Sequence, residues 1–130
     1  MRVVVAGSRD LSPSSEEITR AVSESGFLVA ELVSGACPTG VDAAGEAWAC
    51  SRNIPVRRFE AQWSTYGKRA GPMRNAAMAA YCDAAIVVMR ERSASHKSRG
   101  SENMVQQMRR ANKPCFVVLL THTPTARGAR

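Results

Sequence analysis

Long apolar runs are missing from this chain. Runs such as Cys115 to Leu120 have the length of a strand, far short of the roughly 20 residues that a membrane-spanning helix needs. Aromatic residues are scarce, at 5%. No strand-like segment is rich in them, which argues against a protein that stacks exposed bases on an aromatic platform. The four cysteines, at 37, 50, 82 and 115, form no C-x-x-C pair, and His96 and His122 stand alone. The clustered soft ligands of a zinc site are therefore absent, and no metal is expected. The thiols read as free, buried or half-buried side chains. There is no G-x-S-x-G, no H-E-x-x-H and no neighbouring Ser–His or Cys–His pair. The G-x-G-x-x-G turn of dinucleotide oxidoreductases is missing too, so no cofactor is expected. The N-terminal run Val3-Val4-Val5-Ala6 is broken by Gly7 and is too short for a signal-peptide core. The expectation is a cytoplasmic protein with no membrane partner.

What is present suits one ordinary domain. The chain has 130 residues, of which 45% are hydrophobic and 22% charged, enough for a single core and unlike a disordered composition. The net charge is +7 and it is uneven: residues 1–65 carry 6 basic and 8 acidic groups, residues 66–130 carry 12 and 3. A basic half suits an anionic partner, either a small phosphorylated ligand or a nucleic acid.

Strand-like and helix-like segments alternate, with no internal repeat. Arg2–Ala6, Phe27–Val33, Pro55–Phe59, Ala84–Met89 and Cys115–Leu120 read as strands. A helix follows Ser12 as N-cap and Pro13 as first residue, carries Ile18, Ala21 and Val22 on one face, and stops near Gly26. Further helices are expected over Val41–Asn53, over Met73–Cys82 after Pro72, and over Ser101–Asn112. Met73, Ala76, Ala77 and Ala80 read as core. Glu60–Gly71 and Arg90–Gly100 read as long loops, and 121–130, with Arg127 and Arg130, as a basic tail after a domain over 1–120. The pattern predicts an α/β fold: a single Rossmann-like three-layer domain with a five-stranded parallel sheet and about four helices. Right-handed crossovers place the loops that follow the strands along one edge, where such folds bind ligands.

Those loops hold the polar residues of interest. Gly7-Ser8-Arg9 offers close backbone approach, a hydroxyl and a bidentate guanidinium. Ser34-Gly35-Ala36-Cys37-Pro38-Thr39-Gly40-Val41-Asp42 has the glycine spacing of a P-loop, but Val41-Asp42 stands where Lys-Ser/Thr is required. It can cradle one phosphate or a ribose at a helix start. Asp42 and Glu46 lie four apart and share a helix face, which suits ribose hydroxyls or acid–base work. In Tyr66-Gly67-Lys68-Arg69-Ala70-Gly71-Pro72-Met73-Arg74-Asn75, three cations and an amide sit beside a helix start. Arg74, placed in the first turn and opposed by the helix dipole, calls for an anionic partner. Arg99-Gly100-Ser101-Glu102-Asn103 sets another cation, glycine and hydroxyl at a helix start.

Taken in order, Gly7-Ser8-Arg9, Ser34-Gly35 through Gly40-x-Asp42 with Glu46, Trp63 through Asn75, and Ser98-Arg99-Gly100-Ser101-x-Asn103-Met104 resemble the YspA-type, cpYpsA-related SLOG family. The resemblance covers about Arg2 to Leu120. It implies a Rossmann-like domain that binds a nucleotide or nucleotide-derived ligand. The wider superfamily holds the lonely-guy phosphoribohydrolases and the DNA-processing protein DprA. On that reading Arg9, Arg74 and Arg99 neutralise phosphate, helped by backbone N–H groups around Gly35, Gly40 and Gly100. Asp42 and Asn75 hold polar groups of ribose or base, and Gly7, Ser8, Lys68, Ser101 and Asn103 complete the expected ligand-binding set. An N-glycosidic hydrolase is the alternative. Asn103 and Met104 stand where the lonely-guy motif carries acids, so Glu46 or Glu102 would have to be the base. A DprA-like nucleic-acid module is a further alternative. Superfamily precedent and the Ala- and Met-rich third helix point to a homo-oligomer.

Overall fold

The computed structural model describes residues 1–90 and 99–120, Arg99 by its backbone alone. The expected tail over 121–130 and most of the expected loop Arg90–Gly100 lie outside the described residues. Strands β1 (Arg2–Gly7), β2 (Glu31–Ser34), β3 (Val56–Arg58), β4 (Ala84–Arg90) and β5 (Cys115–Leu120) form one sheet. Helices α1 (Ser15–Ser25) and α2 (Gly40–Ser51) lie within the first half of the chain. A short helix α3 (Trp63–Tyr66) and a 3-10 turn (Gly67–Arg69) follow, then α4 (Ala70–Tyr81) and α5 (Arg99–Arg110).

The sheet runs in the order β3-β2-β1-β4-β5, and every pairing is parallel. β1 is central: Val4 pairs with Val33 on one side and with Ala85 on the other. A strand flanked on both edges and covered on both faces must be apolar throughout, and Val3, Val4, Val5 and Ala6 are all buried. Their side chains alternate between two cores. Val3 and Val5 join Ile18 of α1 and Val41, Trp48 and Ala49 of α2. Val4 and Ala6 join Met78 and Ala79 of α4 and Met104 and Met108 of α5. The fold is therefore the expected three-layer α/β domain.

Several boundaries differ from expectation, each for a local reason. The cap of α1 is Ser14, not Ser12. Ser14 Oγ accepts from Glu17 N at 3.1 Å while Glu17 Oε1 accepts from Ser14 N at 2.9 Å. This reciprocal box needs an acid three residues on, which Ser12 lacks. Gly26 ends α1 in the left-handed region, as expected. β2 begins at Glu31 and not at Phe27: the parallel ladder opens at the Arg2–Glu31 pair, and ahead of it only Met1 reaches the segment, at Leu28 O and Ala30 N. The expected loop over 60–71 contains α3, the 3-10 turn and the start of α4. Helix α4 begins at Ala70, so Pro72 falls inside its first turn, where its missing N–H costs nothing. Met73, Ala76, Ala77 and Ala80 are not core: they are exposed, while Asn75, Met78 and Ala79 face inward. Cys50 is likewise exposed rather than buried.

Candidate functional site

A cleft of about 540 Å³ opens at the carboxyl end of the sheet, where the strand order turns from β1 outward to either side. In parallel sheets this is where the loops diverge and leave room for a ligand. Gly7, Ser8, Arg9 and Asp10 from the loop after β1 form one wall. Cys37 and Asp42 contribute from the start of α2. Arg74, Asn75 and Met78 come from α4, Met89 and Arg90 from the end of β4, and Gly100, Ser101, Glu102 and Met104 from α5.

The loop after β1 is fixed against α2. Val41 N donates to Ser8 O at 3.1 Å, and Thr39 Oγ1 donates to Arg9 O at 3.0 Å. Gly40 makes this docking feasible. Its φ is 74°, and a Cβ there would lie 2.4 Å from Ser8 O and from Arg9 Cα. Only glycine combines that conformation with that approach.

Arg74 and Asp42 form the floor. Arg74 sits in the second turn of α4, not the first, because the helix starts at Ala70. Its placement is therefore explained by its partners rather than by the dipole. Nε donates to Asn75 Oδ1 at 2.9 Å and Nη1 donates to Gly35 O. Asp42 supplies the nearby acid that the local sequence around Arg74 lacks. Arg74 Nη1 and Asp42 Oδ2 each lie 2.8 Å from the position a Cβ on Gly35 would take, so Gly35 is small by necessity. Burial pushes the Arg74 guanidinium below its usual value, and Asp42 opposes this. Burial also pushes the Asp42 carboxyl up to about 6. The N–H of Cys37 and the charges of Arg74 and Arg9 pull it back, and Glu46 adds to the rise.

Asn75 is buried and positions its neighbours. Its Nδ2 donates to Gly100 O at 3.2 Å and to Asn103 Oδ1 at 3.0 Å, while its Oδ1 accepts from Arg74. It joins α4 to the first turn of α5 and orients Arg74 at the same time.

Most of the sequence-predicted residues come together here. Gly7, Ser8, Arg9, Asp42, Arg74, Asn75, Gly100, Ser101 and Glu102 line the cleft; Gly35, Gly40 and Asn103 lie immediately behind it and shape it. The side chain of Arg99 lies outside the described residues. Lys68 is exposed in the 3-10 turn and is not part of the lining. Glu46 is also outside it. Its carboxylate accepts from Ser34 Oγ and pairs with Arg58 Nε at 3.3 Å, which ties α2 to β2 and β3. Sequence reasoning missed Asp10 and Arg90. Arg90 Nη2 lies 3.4 Å from Asp10 Oδ2 and 3.3 Å from Asp10 O, bridging the two walls. No local sequence signal marks the pair: Gly7 lies opposite Val88, and Arg90 reaches Asp10 only because β4 runs two residues past the end of β1.

The fold is that of a Rossmann-like α/β domain with a cleft at the carboxyl end of its sheet. Residues 1–66 match the model of the YspA, cpYpsA-related SLOG family, and the chain belongs to that family. Comparison with curated proteins and with solved structures finds no match. Family membership points broadly to nucleotide-related binding or processing. The matched segment ends before α4, so it includes Arg9 and Asp42 but neither Arg74 nor the start of α5. Among the described residues, no helix is long and apolar enough to cross a membrane.

Proposed function

We propose that the cleft binds a nucleotide or a nucleotide-derived phosphorylated ligand. The observation that carries this reading is the convergence of Arg9, Arg74 and Arg90 on one cleft with the first turn of α5. Guanidinium groups suit phosphate oxygens bidentately, and a helix start favours negative charge beside them. Ser8 and Ser101 lie beside them, and Met78, Met89 and Met104 supply an apolar wall for a base. The test is mass spectrometry of small molecules released from the purified chain, joined to calorimetry with nucleoside mono- and diphosphates. A phosphorylated nucleotide-type compound is expected. Absence of any such compound, together with no binding across the panel, would overturn the reading.

A second reading, N-glycosidic hydrolysis, has one observation in its favour. Glu102 lines the cleft in the first turn of α5, and it is exposed to solvent water. Glu46 drops out as a candidate base because Ser34 and Arg58 engage its carboxylate. Glu102→Gln should then lower release of ribose 5-phosphate from a nucleoside monophosphate by about 10²–10⁴-fold with binding retained. Binding of a monophosphate by the unmodified chain with no ribose phosphate released would leave only the binding function.

A further inference from the structure

The floor of the cleft contains a buried acid with few partners. Asp42 is 7% exposed. Among the described residues it accepts one hydrogen bond, from Cys37 N at 3.3 Å. A carboxylate offers about four acceptor sites, and burial with so few donors disfavours its charged form. Yet this carboxyl shares its cleft with three arginines, Arg9, Arg74 and Arg90, besides the acids Asp10 and Glu102.

Its neighbours place it near balance. Arg74 faces it from α4, across the point where a Gly35 Cβ would sit. Arg9 faces it from the loop after β1, Cys37 from the loop after β2, and Glu46 from the next turn of α2. Glu102 of α5 and the Asp10–Arg90 pair complete the charged lining of the same cleft.

We propose that Asp42 and Arg74 form a proton-controlled latch, so that the cleft takes up an oxyanion together with a proton on Asp42. This deepens the anion-binding reading above and rests on it. A charged Asp42 offsets the charge of Arg74 and repels an incoming oxyanion. A neutral Asp42 leaves the full guanidinium charge for the anion and presents an O–H donor. The proton comes from solvent on binding and returns to it on release. By linkage, each partner raises the affinity for the other to the same extent. The carboxyl is pushed up to about 6 by burial, so the change falls across the neutral range.

Inorganic sulfate is the probe, because it stays a dianion across that range and cannot itself supply the pH dependence. Calorimetry on the full chain should show roughly 5- to 20-fold tighter sulfate binding at about pH 5.5 than at about pH 8. Asp42→Asn should bind with the tighter affinity at both values. Equal affinity at the two pH values overturns the latch. So does an unchanged profile in Asp42→Asn, or no sulfate binding at any pH. If Asp42→Asn does not fold, carbon-13 NMR titration of the Asp42 carboxyl in the natural chain replaces it. Its midpoint should rise by about one pH unit with saturating sulfate, and an unmoved midpoint overturns the proposal. Nucleotide binding with pH-independent sulfate binding would refute the latch alone. The converse result would refute the nucleotide reading alone.

Discussion

A half-buried guanidinium near a carboxylate can anchor the fold or receive an anion, and Arg74 is placed for both. It holds Gly35 O and Asn75 from one side and lines the cleft from the other. Arg74→Ala should weaken binding of adenosine monophosphate about 10- to 150-fold by calorimetry, the loss of a charge-assisted contact worth roughly 1.5–3 kcal/mol. Far-ultraviolet circular dichroism should stay unchanged, and an unaltered affinity would remove Arg74 from the anion site. Asp42 has a cost in stability whose sign follows from its burial. The rise of its carboxyl from 3.8 to about 6 penalises the charged native state. That penalty is absent below the unfolded value, grows as pH rises between the two values, and is complete above the higher one. It amounts to roughly 3 kcal/mol at most. Asp42→Asn, which retains an acceptor for Cys37 N, should therefore raise urea stability at pH 8 by about 1–3 kcal/mol and leave it nearly unchanged at pH 4. Arg74 and Asp42 were legible in the sequence because each closely follows a glycine that marks a helix beginning, Gly71 and Gly40. Arg90 and Asp10 were not, because their meeting depends on β4 lying beside β1. Glu46 was misplaced for the same kind of reason: its partner Arg58 reaches it only because β3 neighbours β2.

The elements that carry these residues are held by two devices that differ in how visible they were. Gly40 was marked by its spacing, although its left-handed conformation and its contact with Ser8 and Arg9 required coordinates. Gly40→Ala should destabilise the chain by roughly 2–4 kcal/mol in denaturant titration, through strain and backbone overlap together. A loss below about 1 kcal/mol would show that the loop after β1 can move aside. Lys113 gave no sequence signal, since it follows α5 by three residues and acts on a different helix. Its ammonium donates to Ala79 O at 2.8 Å, Ala80 O at 3.0 Å and Cys82 O at 2.7 Å, closing the C-terminus of α4. Lys113→Met should lower stability by about 1–2 kcal/mol, because the last carbonyls of α4 lose a charged donor. Placing Pro72 ahead of the helix puts the start of α4 three residues late; a proline is tolerated at the third helical position as well.

At the scale of the whole molecule, the alternation of strands and helices was enough to predict a parallel sheet with its strand-end loops gathered on one edge. The strand order was not legible, since crossover direction leaves no mark in local composition. The charge asymmetry was plain, but it could not distinguish a small anion from a polymer. Adenosine monophosphate bound in one cleft should lose affinity only gently with salt, with a log–log slope of about −1 to −2, whereas a chain neutralising many phosphates gives about −6 or steeper. A steep slope on single-stranded DNA, with no nucleotide binding, would favour the polymer. The position of β1 has one more consequence. Arg9 and Asp42 belong to the half of the chain that builds β1, β2 and β3, and Arg74 and Arg90 to the half that builds β4 and β5. The two halves meet along the β1–β4 ladder. A molecule touching both sets of residues is thus a fastener across that seam, and it can be held only while the seam is shut. Occupancy should slow hydrogen exchange of the β1–β4 amides ahead of those in α1, and substitutions that loosen the ladder should shed the ligand before they shed helix.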